Sequence, residues 1–396
     1  MNFTPKTEIA MRTGKLQQKI IEQGLDGALI FLNSDLFYFT GTVQTSFLYI
    51  PAAGEPVLMV KKGLRRGSEE SRLKNIVSIH SPKKIPEALA GFGFTDLSKI
   101  GLELDVLPVN LYKLYRKIFP QAELSDISPA IKAIRAIKSP YEIELLKQAL
   151  VVSDQAFSTV PSLLREGMTE IELAALFEAE LRKRGFAGCC KMRAFNQEFL
   201  FGDICTGSSG FYPSYFDGPV GGTGVSVSHP KGAGWKRINR NEVVYIDYTS
   251  IIEGYTGDQT RIFCIGELSP RMVKAFEAAL QIEAAVLKAM KPGTLAEEPY
   301  LLALNLAEEL GYKDYFMGYK DDQVKFLGHG LGLELDEWPI FAKGFKLPIV
   351  PGMTFALEPK FVFPEGAIGT ENSFVMTETG PEYLSITPEV ITYLKV

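Results

Sequence analysis

The chain has 396 residues, of which 46% are hydrophobic and 22% charged, so it is long enough for two or three domains with cores that need no staples. Its net charge of −5 gives no electrostatic reason to expect nucleic acid. A run of about 18 apolar residues is absent, which argues against a membrane-spanning helix. The opening Met-Asn-Phe-Thr-Pro-Lys does not read as a signal peptide. The four cysteines, Cys189, Cys190, Cys205 and Cys264, fit neither a zinc knot nor a disulfide framework, and predict reduced thiols in a cytoplasmic protein.

From residue 12 to about 135 the pattern predicts an α/β unit. A helix around Lys15–Gln23 leads through Gly24 into the apolar run Ala28–Leu32. Strand-like runs follow at Phe47–Ile50, Val57–Val60, Ile76–Ile79 and Ile100–Leu104, then a helix at Leu111–Ile118. Ser139-Pro-Tyr-Glu142 is a helix start: Ser139 can cap, Glu142 can close the box, and proline suits the first helical position. The predicted domains are therefore 1–136 and 137–396. Beyond the boundary one order of elements occurs twice. Helices 141–158 and 170–184, the second opened by Thr169 with Glu172, precede a strand pair over Val243–Ile265. A helix from Ser269-Pro270 to about Met290, and another opened by Thr294 with Glu297, precede a strand pair over Thr354–Met376. The repetition suggests pseudo-two-fold symmetry.

Each strand pair carries two carboxylates. In an antiparallel hairpin, paired residues have a constant index sum. A turn centred on Ile252–Glu253 sets Asp247 opposite Asp258, and one centred on Pro364–Glu365 sets Glu358 opposite Glu371. Like charges across a strand pair repel, and burial adds a desolvation cost; a divalent cation reverses the sign. One such pair could equally be a solvated hairpin face. Two pairs in matching halves favour a site. His329, in Leu327-Gly-His-Gly-Leu-Gly332, supplies a nitrogen ligand, and its flanking glycines are expected to let the backbone pass close to a metal. Four carboxylates and one imidazole suit two divalent ions, which can lower the pKa of a bridging water.

At these residues the chain resembles the pita-bread metallohydrolases: methionine aminopeptidase, aminopeptidase P, prolidase and creatinase. Asp247, Asp258, His329, Glu358 and Glu371 match the family's five-ligand order. Ala136-Ile-Lys-Ser-Pro-Tyr-Glu142, Asp26-Gly-Ala-Leu-Ile30 and Phe37-Tyr-Phe-Thr-Gly41 extend the resemblance into a creatinase-like N-terminal domain. It implies an α+β chain with a pita-bread catalytic domain behind a smaller α/β one. It also implies two divalent ions (Mn, Co, Zn or Fe) and a homodimer. The implied reaction is attack by a metal-bridging hydroxide on an Xaa-Pro peptide bond, with Glu358 shuttling the proton and His229 contacting substrate. Two positions depart from the family. Asp336 stands where its peptidases keep a second histidine, and Gly369 where many proline-directed members keep an arginine. Ionised Asp336 offers no donor to a substrate carbonyl. That leaves an alternative, a metal-dependent hydrolase or lyase of small non-peptide compounds, and a remoter one, a non-enzymatic binding protein. The aromatic run Phe211–Phe216 reads as a pocket wall, a dimer contact or ordinary packing, and Gly221–Gly224 as a flexible loop rather than a phosphate cradle. His80 reads as structural.

Overall fold

The computed structural model describes residues 3–198 and 201–395 and divides into two compact units, Met1–Arg135 and Ala136–Val396. In the first, β1 (Gly27–Ile30), β2 (Ser46–Pro51), β3 (Val57–Val60), β4 (Asn75–Ser78), β5 (Lys99–Leu102) and β6 (Glu123–Asp126) form one sheet in the order β4-β3-β2-β1-β5-β6. It is mixed, because β1 pairs antiparallel with β2 and parallel with β5. Every residue of β1 and β3 is buried, as near-continuous apolar runs require when both faces are covered. The first helix, Lys6–Glu22, starts earlier than its apolar pattern alone suggested and buries Ile9, Leu16 and Ile20. Phe37-Tyr-Phe-Thr lies in the helix Asn33–Thr40, which ends at Gly41 with φ 77°. His80 is exposed just beyond β4.

In the second unit the helix Pro140–Phe157 opens with the expected box: Ser139 Oγ accepts from the Glu142 N–H, and Glu142 Oε2 accepts from the Ser139 N–H. Glu142 is itself buried and accepts from the Tyr255 hydroxyl at 2.9 Å, tying the helix start to the sheet. Thr169 and Glu172 repeat the device at the helix Glu170–Lys183. Thr294 does not cap its helix. Glu297–Glu309 starts behind Ala296 with no side-chain cap, and Thr294 Oγ1 accepts instead from the Lys291 N–H in the preceding turn.

The strands of this unit are β7 (Gly202–Thr206), β8 (Val244–Ile252), β9 (Tyr255–Ile265), β10 (Phe326–Leu331), β11 (Leu335–Ala342), β12 (Thr354–Leu357), β13 (Lys360–Phe363), β14 (Gly366–Gly369), β15 (Asn372–Met376), β16 (Pro381–Tyr383) and β17 (Ile391–Leu394). They form sheets ordered β17-β9-β8-β7 and β11-β10-β12-β15-β16, with β13-β14 as a separate pair. A bridge between Thr260 and Glu371 joins the first two. All eleven residues of β9 are buried, its polar centre included. That is tolerable because the groups are paired: Gln259 bonds Ser153 and Asp154, and Arg261 bonds Thr387 O, Glu371 O and Asn372.

The first hairpin differs from the expected register by two. Its turn is Glu253-Gly254, both at positive φ (49° and 88°), so Asp247 pairs with Thr260 and Asp258 with Thr249. A shift of two keeps both acids on one face, because side chains alternate with period two. The acid directly across from Asp247 is Asp203 on β7. The second hairpin has the expected register, with Leu357 opposite Asn372 and Lys360 opposite Gly369. The glycines beside His329 have a packing role. A Cβ on Gly328 would lie 2.1 Å from Ala356 O, and one on Gly330 2.3 Å from Trp338 O, so they admit the neighbouring strands.

Candidate metal centre

The strands bring four acids and one histidine together. Asp247 and Asp258 come from β8 and β9, His329 from β10, and Glu358 and Glu371 from the ends of β12 and β15. All five line one small pocket of about 40 Å³ together with Asp336. That is room for an ion and one or two waters, at roughly 10–15 Å³ each.

Asp258, His329 and Glu371 form the tightest set: one donor atom from each lies within 4.8 Å of the others. His329 Nε2 is 3.8 Å from Asp258 Oδ2 and 3.8 Å from Glu358 Oε1. Those separations are too long for hydrogen bonds, yet they suit ligands that share an ion at about 2.0–2.2 Å each. The opposite ring nitrogen, Nδ1, lies 3.2 Å from Gly330 O and 3.4 Å from Asp336 Oδ1. Acceptors on that side favour the tautomer that turns the Nε2 lone pair towards the acids. One imidazole and several carboxylates are a donor set for divalent Mn, Co, Zn or Fe, and the residues present fit such an ion.

Asp247 lines the same pocket with one oxygen already engaged. Its Oδ2 accepts from the Tyr245 hydroxyl at 2.6 Å and from Lys360 Nζ at 2.9 Å. Lys360 Nζ also donates to Glu358 Oε2 at 2.8 Å and Glu371 Oε2 at 2.9 Å. The lysine side chain is 1% exposed.

Burial pushes the Asp258 carboxyl well above its ordinary value, and the charges of Glu371 and Asp247 add to the effect. Burial likewise pushes Glu371 up to about 8, against the pull of Lys360. Glu358 is raised for the same reason. Asp247 is held below its ordinary value: burial opposes this, but the Lys360 charge and the Tyr245 hydroxyl outweigh it. Burial disfavours the His329 imidazolium, but Asp336, Glu358 and Glu371 outweigh it and raise the ring. Acids crowded against their own desolvation and each other are stabilised by a cation.

His229 is not part of this cluster. It is exposed, with Nδ1 3.0 Å from Ser228 Oγ, and lines a cavity of about 340 Å³ with Met192, Asp203, Tyr215 and Lys231. That cavity shares Asp203 and Lys231 with the acidic pocket. The run Phe211–Phe216 lines a further cavity of about 640 Å³, which shares Phe216 and Asp217 with the acidic pocket. Sequence reasoning missed Lys360 and the ion pair of Lys231 with Asp203. A signal for Lys360 was available: it opens the apolar run Lys360-Phe-Val-Phe two residues after a candidate ligand, and a lysine on a buried strand needs a partner.

A protein-family model described as metallopeptidase family M24 matches residues 144–378, and one for the creatinase/prolidase N-terminal domain matches residues 12–137. The chain belongs to metallopeptidase family M24. An Xaa-Pro dipeptidase of Pyrococcus furiosus is 27% identical over 379 residues, covering 95% of this chain and 98% of that one. Among solved structures, an Xaa-Pro dipeptidase from Bacillus anthracis superposes with a TM-score of 0.83 at 23% identity, covering 98% of this chain and all of the other. An X-Pro aminopeptidase from Thermotoga maritima gives 0.79 at 24%, covering 96% and 99%. The fold is thus the α+β pita-bread architecture with a creatinase-like N-terminal domain.

Proposed function

We propose that the chain is a metal-dependent peptidase that cleaves Xaa-Pro dipeptides or the N-terminal bond of short Xaa-Pro peptides. The observation that carries this is the buried set Asp258, His329 and Glu371, with Glu358 at its edge, inside the segment that matches the M24 family. These residues would hold the ion, which when bound supplies Lewis acidity towards a carbonyl oxygen and towards water. The protein's own groups do the rest. Glu358 presents Oε1 as a proton acceptor while its Oε2 is held by Lys360. Asp336 and Gly330 O fix the His329 ring. Substrate would occupy the cavity of about 340 Å³ beside the acids, a size that suits a small ligand, where His229 and Tyr215 contact it.

We further propose a cytoplasmic homodimer that uses manganese. Four free cysteines and the oxygen-rich donor set support the compartment and the metal, and family membership supports the dimer. None of the described helices is long and apolar enough to cross a membrane.

The test is turnover of an Xaa-Pro dipeptide and tripeptide panel by metal-loaded protein, with Asp258→Ala and His329→Ala as controls. Cleavage lost in both controls is the expected result. No cleavage by a protein that still binds metal would overturn the peptidase reading. It would favour a small non-peptide substrate, the reading that Asp336 and Gly369 raise.

A further inference from the structure

We propose that the Lys360 ammonium occupies the position a second metal ion would need, so that this centre holds one divalent cation, on the side of Asp258 and His329, with the lysine as its second positive charge. The inference rests on the proposed function only for the presence of that one ion.

The argument begins with the three hydrogens of the ammonium. A lysine head has three donors and no acceptor, and Lys360 places one on each of Asp247 Oδ2, Glu358 Oε2 and Glu371 Oε2, at 2.8–2.9 Å. Its donors are therefore satisfied, and three of the four acids already share a cation. A metal bound to the same oxygens at about 2.0–2.2 Å would have to stand almost on top of Nζ. A protonated amine cannot become a ligand, so the two cations exclude each other.

The position is built rather than accidental. Lys360 lies directly across the β13–β14 pair from Gly369. A Cβ at 369 would come within 2.4 Å of Pro359 O, 2.7 Å of Lys360 Cα and 3.0 Å of its Cγ, so glycine is what lets the two strands approach here. Nζ sits 5.6 Å from the centroid of the Tyr245 ring, whose hydroxyl donates to the same Asp247 oxygen that Lys360 uses. Asp247 Oδ2 thus receives two hydrogen bonds and serves to anchor the lysine. The head cannot leave cheaply, because its side chain is 1% exposed and a displaced ammonium would lose all three partners.

One dication and one ammonium bring three positive charges to the four acids. Asp258 Oδ2 and Glu358 Oε1 each lie 3.8 Å from His329 Nε2, and the lysine hydrogen-bonds neither of them.

The experiment uses the full chain, stripped with a chelator, reloaded with excess Mn²⁺ and desalted. Metal per chain is then measured by mass spectrometry, and the environment of the ion by electron paramagnetic resonance. The wild type is expected to hold one Mn²⁺ with the six-line spectrum of an isolated ion. Lys360→Ala is expected to approach two per chain with a spin-coupled spectrum. Two ions per wild-type chain would overturn this inference and leave the proposed function standing; no metal at all would overturn both. A folded Lys360→Ala protein, checked by circular dichroism, that stays at one ion would also refute it. If that variant fails to fold, the wild-type count decides alone.

Discussion

Asp336→Ala isolates the carboxylate that lies 3.4 Å from His329 Nδ1. Groups that orient a ligand histidine from behind typically contribute about 10–100-fold in metal affinity, or roughly 1.4–2.7 kcal/mol. Two observations place Asp336 at the lower end. Gly330 O, 3.2 Å from the same nitrogen, remains as an acceptor, and the Asp336 side chain is 38% exposed, so solvent screens its charge. The expected loss is therefore about tenfold in Mn²⁺ affinity, or ~1.4 kcal/mol. Asp336 has φ 63°, a left-handed conformation that asparagine adopts more easily than alanine. Asp336→Asn keeps that tolerance and an oxygen acceptor while losing the charge, so it should weaken binding by less than the alanine change. The assay is competition for Mn²⁺ against a fluorescent chelator at fixed pH. Wild-type affinity in Asp336→Ala, or a weaker Asp336→Asn than Asp336→Ala, would refute the orienting role.

His229→Ala should raise KM for an Xaa-Pro dipeptide by about an order of magnitude while leaving metal content unchanged, because the side chain lies in the neighbouring cavity and not among the acids; steady-state kinetics beside metal analysis separates the two effects. Phe355 is fully buried on β12, edge-on to Phe341 and stacked on Phe374. Phe355→Ala should cost roughly 3–5 kcal/mol and lower the melting temperature by roughly 6–20 °C in a thermal scan. Burial first, then the hydrogen bond and charge of Glu389, push Glu283 well above its ordinary value of 4.5. An acid raised in the folded state keeps a proton that the unfolded chain has lost. Its stabilising contribution is complete below 4.5 and drains as pH rises towards the folded value. Glu283→Gln should therefore flatten the fall of melting temperature as pH rises above 4.5; an unchanged slope in differential scanning fluorimetry would count against it.

Local chemistry by itself determined much of this protein. Ser139 with Glu142, and Thr169 with Glu172, mark helix starts because each cap is closed within four residues. The short apolar runs of β1 and β3 read as strands because turn residues bound them, Asn33-Ser34 after β1 and Gly54 with Pro56 before β3. The residue types of the centre were legible too, since acids on buried strands call for a cation wherever the strands fold. The register of the first hairpin was not. A turn placed one residue away from Glu253-Gly254 shifts every pair by two, and only the paired strands decide between such alternatives. Nor could sequence show that His229 stands apart from the acids, or that Asp203 faces Asp247 across a strand pair reached from 44 residues away. Tertiary structure alone decided the direction of each side chain within the centre. Lys360 reaches Asp247 across 113 positions of chain, from a strand that Gly369 allows to approach its partner closely. Such distances are set by how sheets meet, which depends on the whole core rather than on any window of neighbouring residues.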